Sequence, residues 1–154
     1  MDPHLQAQLI GSLGKLGAAM TLCFAAIGSA AGTGIAGMAA AGSWRKCHYL
    51  NKQAPFMLVA FVGLPLTQTI YGMIVMNAIM RAVESGAMSI ALLMGGLAAG
   101  IAIGASSWAK GHAAASACDA MAETGKGFVN YLMVLGVIET VSLFVMVFTT
   151  KTFT

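Results

Sequence analysis

Residues 127–150 read GFVNYLMVLGVIETVSLFVMVFTT, an apolar stretch long enough to cross a bilayer as one helix. Glu139 is the only charged residue in this stretch. At about 1.5 Å of helix rise per residue, its carboxylate lies about 18 Å from one end and about 16 Å from the other. An ionised group at that depth is so costly that it needs a partner, a bound cation or a proton. Glu139 is therefore the first candidate functional residue; the alternative is a carboxylate that neighbouring polar groups hold for packing alone.

Three further stretches contain no Asp, Glu, Lys or Arg: residues 16–44, 53–80 and 88–109. Each exceeds the roughly 20 residues that a helix needs to span the hydrocarbon core. The 154-residue chain is 58% hydrophobic and only 8% charged, whereas soluble domains have about 25% charged residues. We therefore predict an all-α membrane protein with four transmembrane helices. The beginning, MDPHLQAQL, lacks the pattern of a signal peptide, so we expect the first helix to stay in the mature protein.

The chain also repeats itself. IGSAAGTGIAGMAAA at residues 27–41 resembles IGASSWAKGHAAASA at residues 103–117, an offset of 76 residues. Repeats of this kind indicate a duplicated supersecondary unit, which here is a helical hairpin. We predict a first hairpin over residues 1–82 and a second over residues 83–154. Their transmembrane helices are predicted at about 11–43, 54–81, 87–118 and 127–151.

The second helix of each hairpin repeats as well. PLTQTIYGMIVM at residues 65–76 matches GVIETVSLFVMV at residues 136–147, which places Gln68 opposite Glu139. The acid is thus present in the second copy only. One candidate ion-carrying carboxylate is therefore expected per chain.

Small residues characterise the first and third helices, as in the GxxxGxxxG run of Gly96, Gly100 and Gly104. Such residues let helix backbones approach closely, which is a main source of helix association in lipid. The second and fourth helices carry bulkier Leu, Met, Phe and Val. This division predicts an inner layer of small-residue helices and an outer layer facing lipid, as a ring of identical chains requires.

Polar residues of the second helix lie at a depth similar to that of Glu139. Pro65 cannot donate a backbone hydrogen bond, so it loosens the helix and frees nearby carbonyl groups. Thr67 and Tyr71 lie four residues apart on one helical face, with Gln68 beside them. Together with Glu139 they would hold a proton or a small dehydrated cation. The alternative is that the hydroxyl groups only bond to nearby carbonyls.

LPLTQTIYG in the second helix, AKGHAAA in the third and VIET in the fourth together resemble the K subunit of bacterial V-type ATPases. Members of this family are also called proteolipids, and the resemblance covers nearly the whole chain. It implies a rotor ring of about ten copies in a bacterial plasma membrane. The ring would move H⁺ or Na⁺ against the stationary subunit I, the a-type stator, and couple this transport to ATP hydrolysis or synthesis through a central-stalk subunit. The chain itself would not be catalytic, bind a cofactor or contact nucleic acid.

The resemblance also assigns roles to residues. It implies that Glu139 carries the ion and that Tyr71 hydrogen-bonds to its carboxylate. In relatives that bind Na⁺, the further ligands correspond to the backbone carbonyl of Leu64 and the side chains of Thr67 and Gln68. A Na⁺ site at these same residues is therefore one alternative.

Lys110 departs from the family pattern, because relatives that bind Na⁺ have a glutamine ligand in an AQGK setting, whereas this chain reads AKGH. An ammonium group donates hydrogen bonds and cannot coordinate a cation. If Lys110 points toward Glu139, it would pair with the carboxylate and exclude Na⁺. If it extends to the membrane surface, the site would lack one ligand. In both cases we expect H⁺ to be the transported ion.

The basic residues suggest a topology, because cytoplasmic connections carry an excess of Lys and Arg. Five of the eight flank the first and third connections: Arg45, Lys46, Lys52, Lys110 and Lys126. These connections are therefore predicted to be cytoplasmic. The chain has no Walker A motif, so ATP chemistry is expected elsewhere.

Two functions of other classes remain open. A small four-helix cation or drug exporter also uses one intramembrane glutamate, but it would line its chamber with aromatic residues. Here Tyr131 is the only aromatic residue within two helical turns before Glu139. A purely structural membrane protein would have no use for Glu139.

Overall fold

The computed structural model describes residues 3–153; residues 1, 2 and 154, at the outer edges of the two predicted hairpins, lie outside this range. The elements are α1 (Pro3–Tyr49), α2 (Leu58–Gly63), a 3₁₀ turn (Leu64–Leu66), α3 (Thr67–Glu84), α4 (Ser89–Thr124) and α5 (Phe128–Phe153). The α2 helix, the 3₁₀ turn and α3 follow one another directly and together form one membrane-length helix. Within the described residues, four helices are long and apolar enough to span a membrane, and there is no strand. The predicted all-α membrane class is confirmed.

The first helices of the two repeats, α1 and α4, lie side by side and run parallel. The hydroxyl of Thr21 donates to the carbonyl oxygen of Gly96 at 2.9 Å, across 75 residues of sequence. Near the other end, the hydroxyl of Ser43 donates to Asp119 at 2.7 Å, across 76 residues. These separations match the offset of the sequence repeat. Equivalent residues of the two repeats therefore face each other along the whole contact.

Glycines let the two backbones touch. A Cβ atom built on Gly28 would lie 2.5 Å from the carbonyl carbon of Gly104, and one built on Gly111 would lie 2.7 Å from that of Gly32. Cβ atoms essentially never approach other atoms closer than 3.0 Å. The small-residue faces predicted for the first and third helices thus pack against each other, and the contact requires glycine.

The bulkier helices pack around this pair in two hydrophobic clusters. One cluster holds α2 against α1, α4 and α5 and is centred on Leu58, Phe61, Cys118, Met121 and Leu135. The other holds α3 against α1 and α4 and is centred on Val75, Ile79, Leu92 and Ile103. The 3₁₀ turn and the start of α3 lie between the clusters, and the polar groups of the second helix are located there.

The α5 helix is the most exposed element. Its only buried residues are Leu135 and Ser142, among those that the structure describes. Large apolar side chains such as Val137, Phe144 and Phe148 point outward and are 61% to 69% exposed. An exposed apolar surface of this extent suits contact with lipid or with another chain.

Candidate ion-binding site

The 3₁₀ turn at Pro65 presents two backbone carbonyl groups to α4. Pro65 has no backbone N–H and stands at the start of the turn, where Thr67 N–H bonds to the carbonyl of Leu64. The Pro65 carbonyl accepts a hydrogen bond from the hydroxyl of Ser107 at 2.7 Å. The Leu64 carbonyl accepts one from the ammonium of Lys110 at 3.0 Å. The carbonyl groups near the proline are therefore satisfied by side chains of the neighbouring helix, as buried polar groups require.

The carboxylate of Glu139 receives donors on both oxygens. Its Oε1 accepts from the hydroxyl of Thr67 at 2.6 Å and from the phenol of Tyr71 at 2.7 Å. Its Oε2 lies 3.0 Å from Nζ of Lys110, which forms an ion pair with it. Such charge-assisted bonds are roughly twice as strong as bonds between neutral groups. The α3, α4 and α5 helices thus meet at this carboxylate.

The two members of the ion pair differ in exposure. The side chain of Lys110 is completely buried, whereas that of Glu139 is 17% exposed. Part of the Glu139 side chain is therefore exposed at the surface of the helix bundle, whereas Lys110 lies wholly inside it.

Of the two orientations expected for Lys110, the structure has the first: the side chain points toward Glu139 and not to the membrane surface. Its Nζ also lies 3.3 Å from the hydroxyl oxygen of Thr67, in addition to the Leu64 carbonyl. The ammonium has three N–H donors, and three oxygen atoms of the protein surround it. All of its donors are satisfied in a completely buried position.

Gln68 is close to the site but does not contact Glu139 by a hydrogen bond. Its side chain is completely buried, and its Oε1 lies 3.1 Å from the hydroxyl of Thr67. Its Nε2 has no hydrogen-bond partner among residues 3–153. The structure therefore brings together Leu64, Thr67, Tyr71, Lys110 and Glu139, whereas Gln68 lies beside Thr67 and has no direct bond to the carboxylate.

Ser107 is the site residue that the sequence reasoning did not single out. It is completely buried and links α4 to the 3₁₀ turn through the carbonyl of Pro65. It lies three residues before Lys110 and hence on the same face of α4. That spacing was the available signal, but serine is common in membrane helices and marks no site alone.

Residues 93–150, which include most of α4 and α5 with Lys110 and Glu139, match the family model for the C subunit of ATP synthase. This match supports a rotor proteolipid of the F- and V-type ATPases. In such complexes the proteolipid belongs to an ion-translocating rotor ring and has no catalytic activity of its own. The four long apolar helices indicate a multi-pass membrane protein, and the matched segment is similar to a non-catalytic rotor component. A comparison with curated proteins gave no match.

Proposed function

We propose that the chain is the K-type rotor subunit of a bacterial V-type ATPase and that it carries H⁺ on Glu139. About ten copies would form a closed ring in the plasma membrane, since a head-to-tail contact closes into a ring when its rotation permits. The ring turns against subunit I, the a-type stator, and the central stalk joins it to the ATP-hydrolysing part. The first and third connections face the cytoplasm, as Arg45, Lys46, Lys52 and Lys126 favour. Lys110 belongs to neither connection, because it lies inside α4 and pairs with Glu139.

One observation carries this proposal: a single carboxylate near the middle of α5 is held by side chains of two other helices, α3 and α4, and its side chain remains partly exposed. Thr67, Tyr71 and Lys110 fix its position, while its exposed part is open to a partner at the rim. A buried structural carboxylate has no need of such an opening. A carboxylate that exchanges ions with a stator does.

The transport step follows from charge. When the site faces lipid, it must be neutral as a whole, because a net charge in hydrocarbon is costly. When it faces the stator, Glu139 can exist as a carboxylate opposite a cationic group of that partner and exchange a proton with water. Because Glu139 and Lys110 are neutral together when they hold one exchangeable proton between them, it is this shared proton that leaves. Its bond to nitrogen or oxygen breaks, the electron pair stays on that atom, and the proton leaves to one side of the membrane, so that the site is left with the negative charge of the carboxylate. Rotation in one direction requires that the site becomes neutral again before it returns to lipid.

The ring is tested first by mass. A purified ring in detergent should give a mass that is a multiple of the 15.7 kDa chain well above a dimer, whereas an exporter would give a monomer or a dimer. Native mass spectrometry or light scattering measures this directly. A mass of one or two chains under conditions that keep the protein folded would refute the ring.

The role of Glu139 is tested in the complete ATPase reconstituted into vesicles. Glu139→Gln should abolish ATP-driven acidification of the vesicle interior, because an amide cannot alternate between charged and neutral forms. Glu84→Gln changes an exposed acid at the end of α3 and should leave acidification unchanged. Full acidification by the Glu139 variant would overturn the proposal. Pumping by the unmodified protein that requires Na⁺ would show that the transported ion is Na⁺ and not H⁺.

A further inference from the structure

Lys110 holds the position that a bound cation would take. The three oxygen atoms around its Nζ are the Leu64 carbonyl oxygen at 3.0 Å, the Thr67 hydroxyl oxygen at 3.3 Å and Glu139 Oε2 at 3.0 Å. Carbonyl, hydroxyl and carboxylate oxygens are also the ligands that small hard cations prefer. A free cation could use these oxygens only if the ammonium left them.

We infer that Lys110 is a tethered cation: its ammonium replaces a transported metal ion at Glu139 and excludes Na⁺ from the site. This inference rests on the proposed function, since it concerns the ion that the ring accepts. Lys110 is thus a residue that determines specificity. It also positions Glu139, because the bond to Oε2 fixes the carboxylate from behind.

The charges of the two repeats support this assignment. By the 76-residue offset of the first helices, Lys110 corresponds to Gly34, and by the alignment of the second helices, Glu139 corresponds to Gln68. The first hairpin therefore has neither charge and the second has both. Gln68 is completely buried, as a neutral side chain allows. Within this chain the two charged groups thus occur in the same repeat.

The contacts of Glu139 agree with an ionised carboxylate at this position. Among the described residues, its three partners are the hydroxyl of Thr67, the phenol of Tyr71 and the ammonium of Lys110, and each of them donates. An ion pair with satisfied hydrogen bonds is neutral as a whole. The site can therefore remain in a low-dielectric environment with no metal ion bound.

Removing one member of a buried pair leaves the other charge uncompensated, whereas removing both does not. We propose to compare four purified rings: the unmodified protein, Lys110→Gln, Glu139→Gln and the double variant. The quantity measured is the fraction of intact ring after heating in detergent. Each single variant should leave at least fivefold less intact ring than the unmodified protein, and the double variant should recover most of the loss. Lys126→Gln, a change in the exposed connection between α4 and α5, is the matched control and should behave like the unmodified protein.

A second readout tests the exclusion of Na⁺. A hydrophobic carbodiimide modifies Glu139, and a bound cation slows that modification. Millimolar Na⁺ at fixed pH should leave the labelling rate of the unmodified ring unchanged within twofold. In Lys110→Gln it should lower the rate at least fivefold, because the oxygens of Leu64, Thr67 and Glu139 are then free to bind Na⁺.

Two results would overturn the inference: a double variant no more stable than the single variants, or strong Na⁺ protection of the unmodified ring. If Lys110→Gln does not assemble, the comparison of Glu139→Gln with the double variant still shows whether an unpaired Lys110 destabilises the ring. Both readouts use the isolated ring and need neither ATP nor the stator. A failure of pumping alone would therefore refute the proposed function and leave the paired charges intact.

Discussion

The contact between α1 and α4 predicts opposite effects for the same substitution at two glycines of one helix. Gly28→Ala places a methyl group 2.5 Å from the carbonyl carbon of Gly104, whereas Gly34→Ala places it where no atom lies within 4 Å. Both positions are inside α1, so both variants gain the same helix propensity, about 1 kcal/mol. The two variants therefore differ only in what the new methyl group meets.

The magnitude follows from that distance. Carbon atoms in contact prefer about 3.5–4.0 Å, so the helices must separate locally by about 1 Å or more. Overpacking of this kind costs about 1–3 kcal/mol, and the upper end applies here because the opposing group is backbone that cannot rotate away. After the gain in helix propensity, Gly28→Ala should lose about 2 kcal/mol and Gly34→Ala should gain up to about 1 kcal/mol.

The assay is the temperature at which half of the protein leaves its native peak in size-exclusion chromatography. A difference of about 3 kcal/mol between the two variants corresponds to roughly 6–12 °C for a chain of this size. Gly136→Ala on α5, which also has no atom within 4 Å, serves as a second control. If Gly28→Ala were as stable as Gly34→Ala, the two backbones would not touch as described.

Three further substitutions test the site. Tyr71→Phe removes one of three donors to Glu139, worth about 1.5–3 kcal/mol to a charged acceptor, and should raise the rate of carbodiimide labelling about tenfold or more. Thr67→Val keeps the shape but removes a hydroxyl that serves both charges, so ATP-driven transport should fall further than with Tyr71→Phe. Ser107→Ala leaves the buried carbonyl of Pro65 without its side-chain donor, and the intact ring after heating should decrease by an amount equivalent to about 1–3 kcal/mol. Unchanged labelling, transport and stability, respectively, would contradict these expectations.

The membrane class and the central acid were predictable because they depend on composition and depth. A carboxylate inside an apolar helix and polar side chains near Pro65 follow from the order of residues alone. The helix ends were less predictable: α1 continues to Tyr49, beyond the predicted span of 11–43. Hydropathy reports the apolar part of a helix, whereas backbone hydrogen bonding continues through polar residues such as Arg45 and Lys46.

The direction of Lys110 was not predictable from the sequence. A lysine near a membrane surface satisfies its charge either by extending to water or by pairing, and both outcomes agree with the local sequence. The choice depends on how α4 is rotated against α1. Glycine contacts such as Gly32 with Gly111 set that rotation, and they are specific to the folded pair. The role of Ser107 was hidden for the same reason, because its partner is a carbonyl of another helix.

One charged pair for every two hairpins sets the number of ions that the proposed rotor ring moves per revolution. A ring in which each hairpin carried its own acid would move twice as many ions per revolution with the same number of helices. With half the ions per revolution, the free energy of each hydrolysed ATP is divided among fewer ions. At equilibrium each ion can then be moved against an electrochemical potential difference twice as large. A glutamine at position 68, where the second repeat has Glu139, thus favours a large electrochemical potential difference over a large number of transported ions.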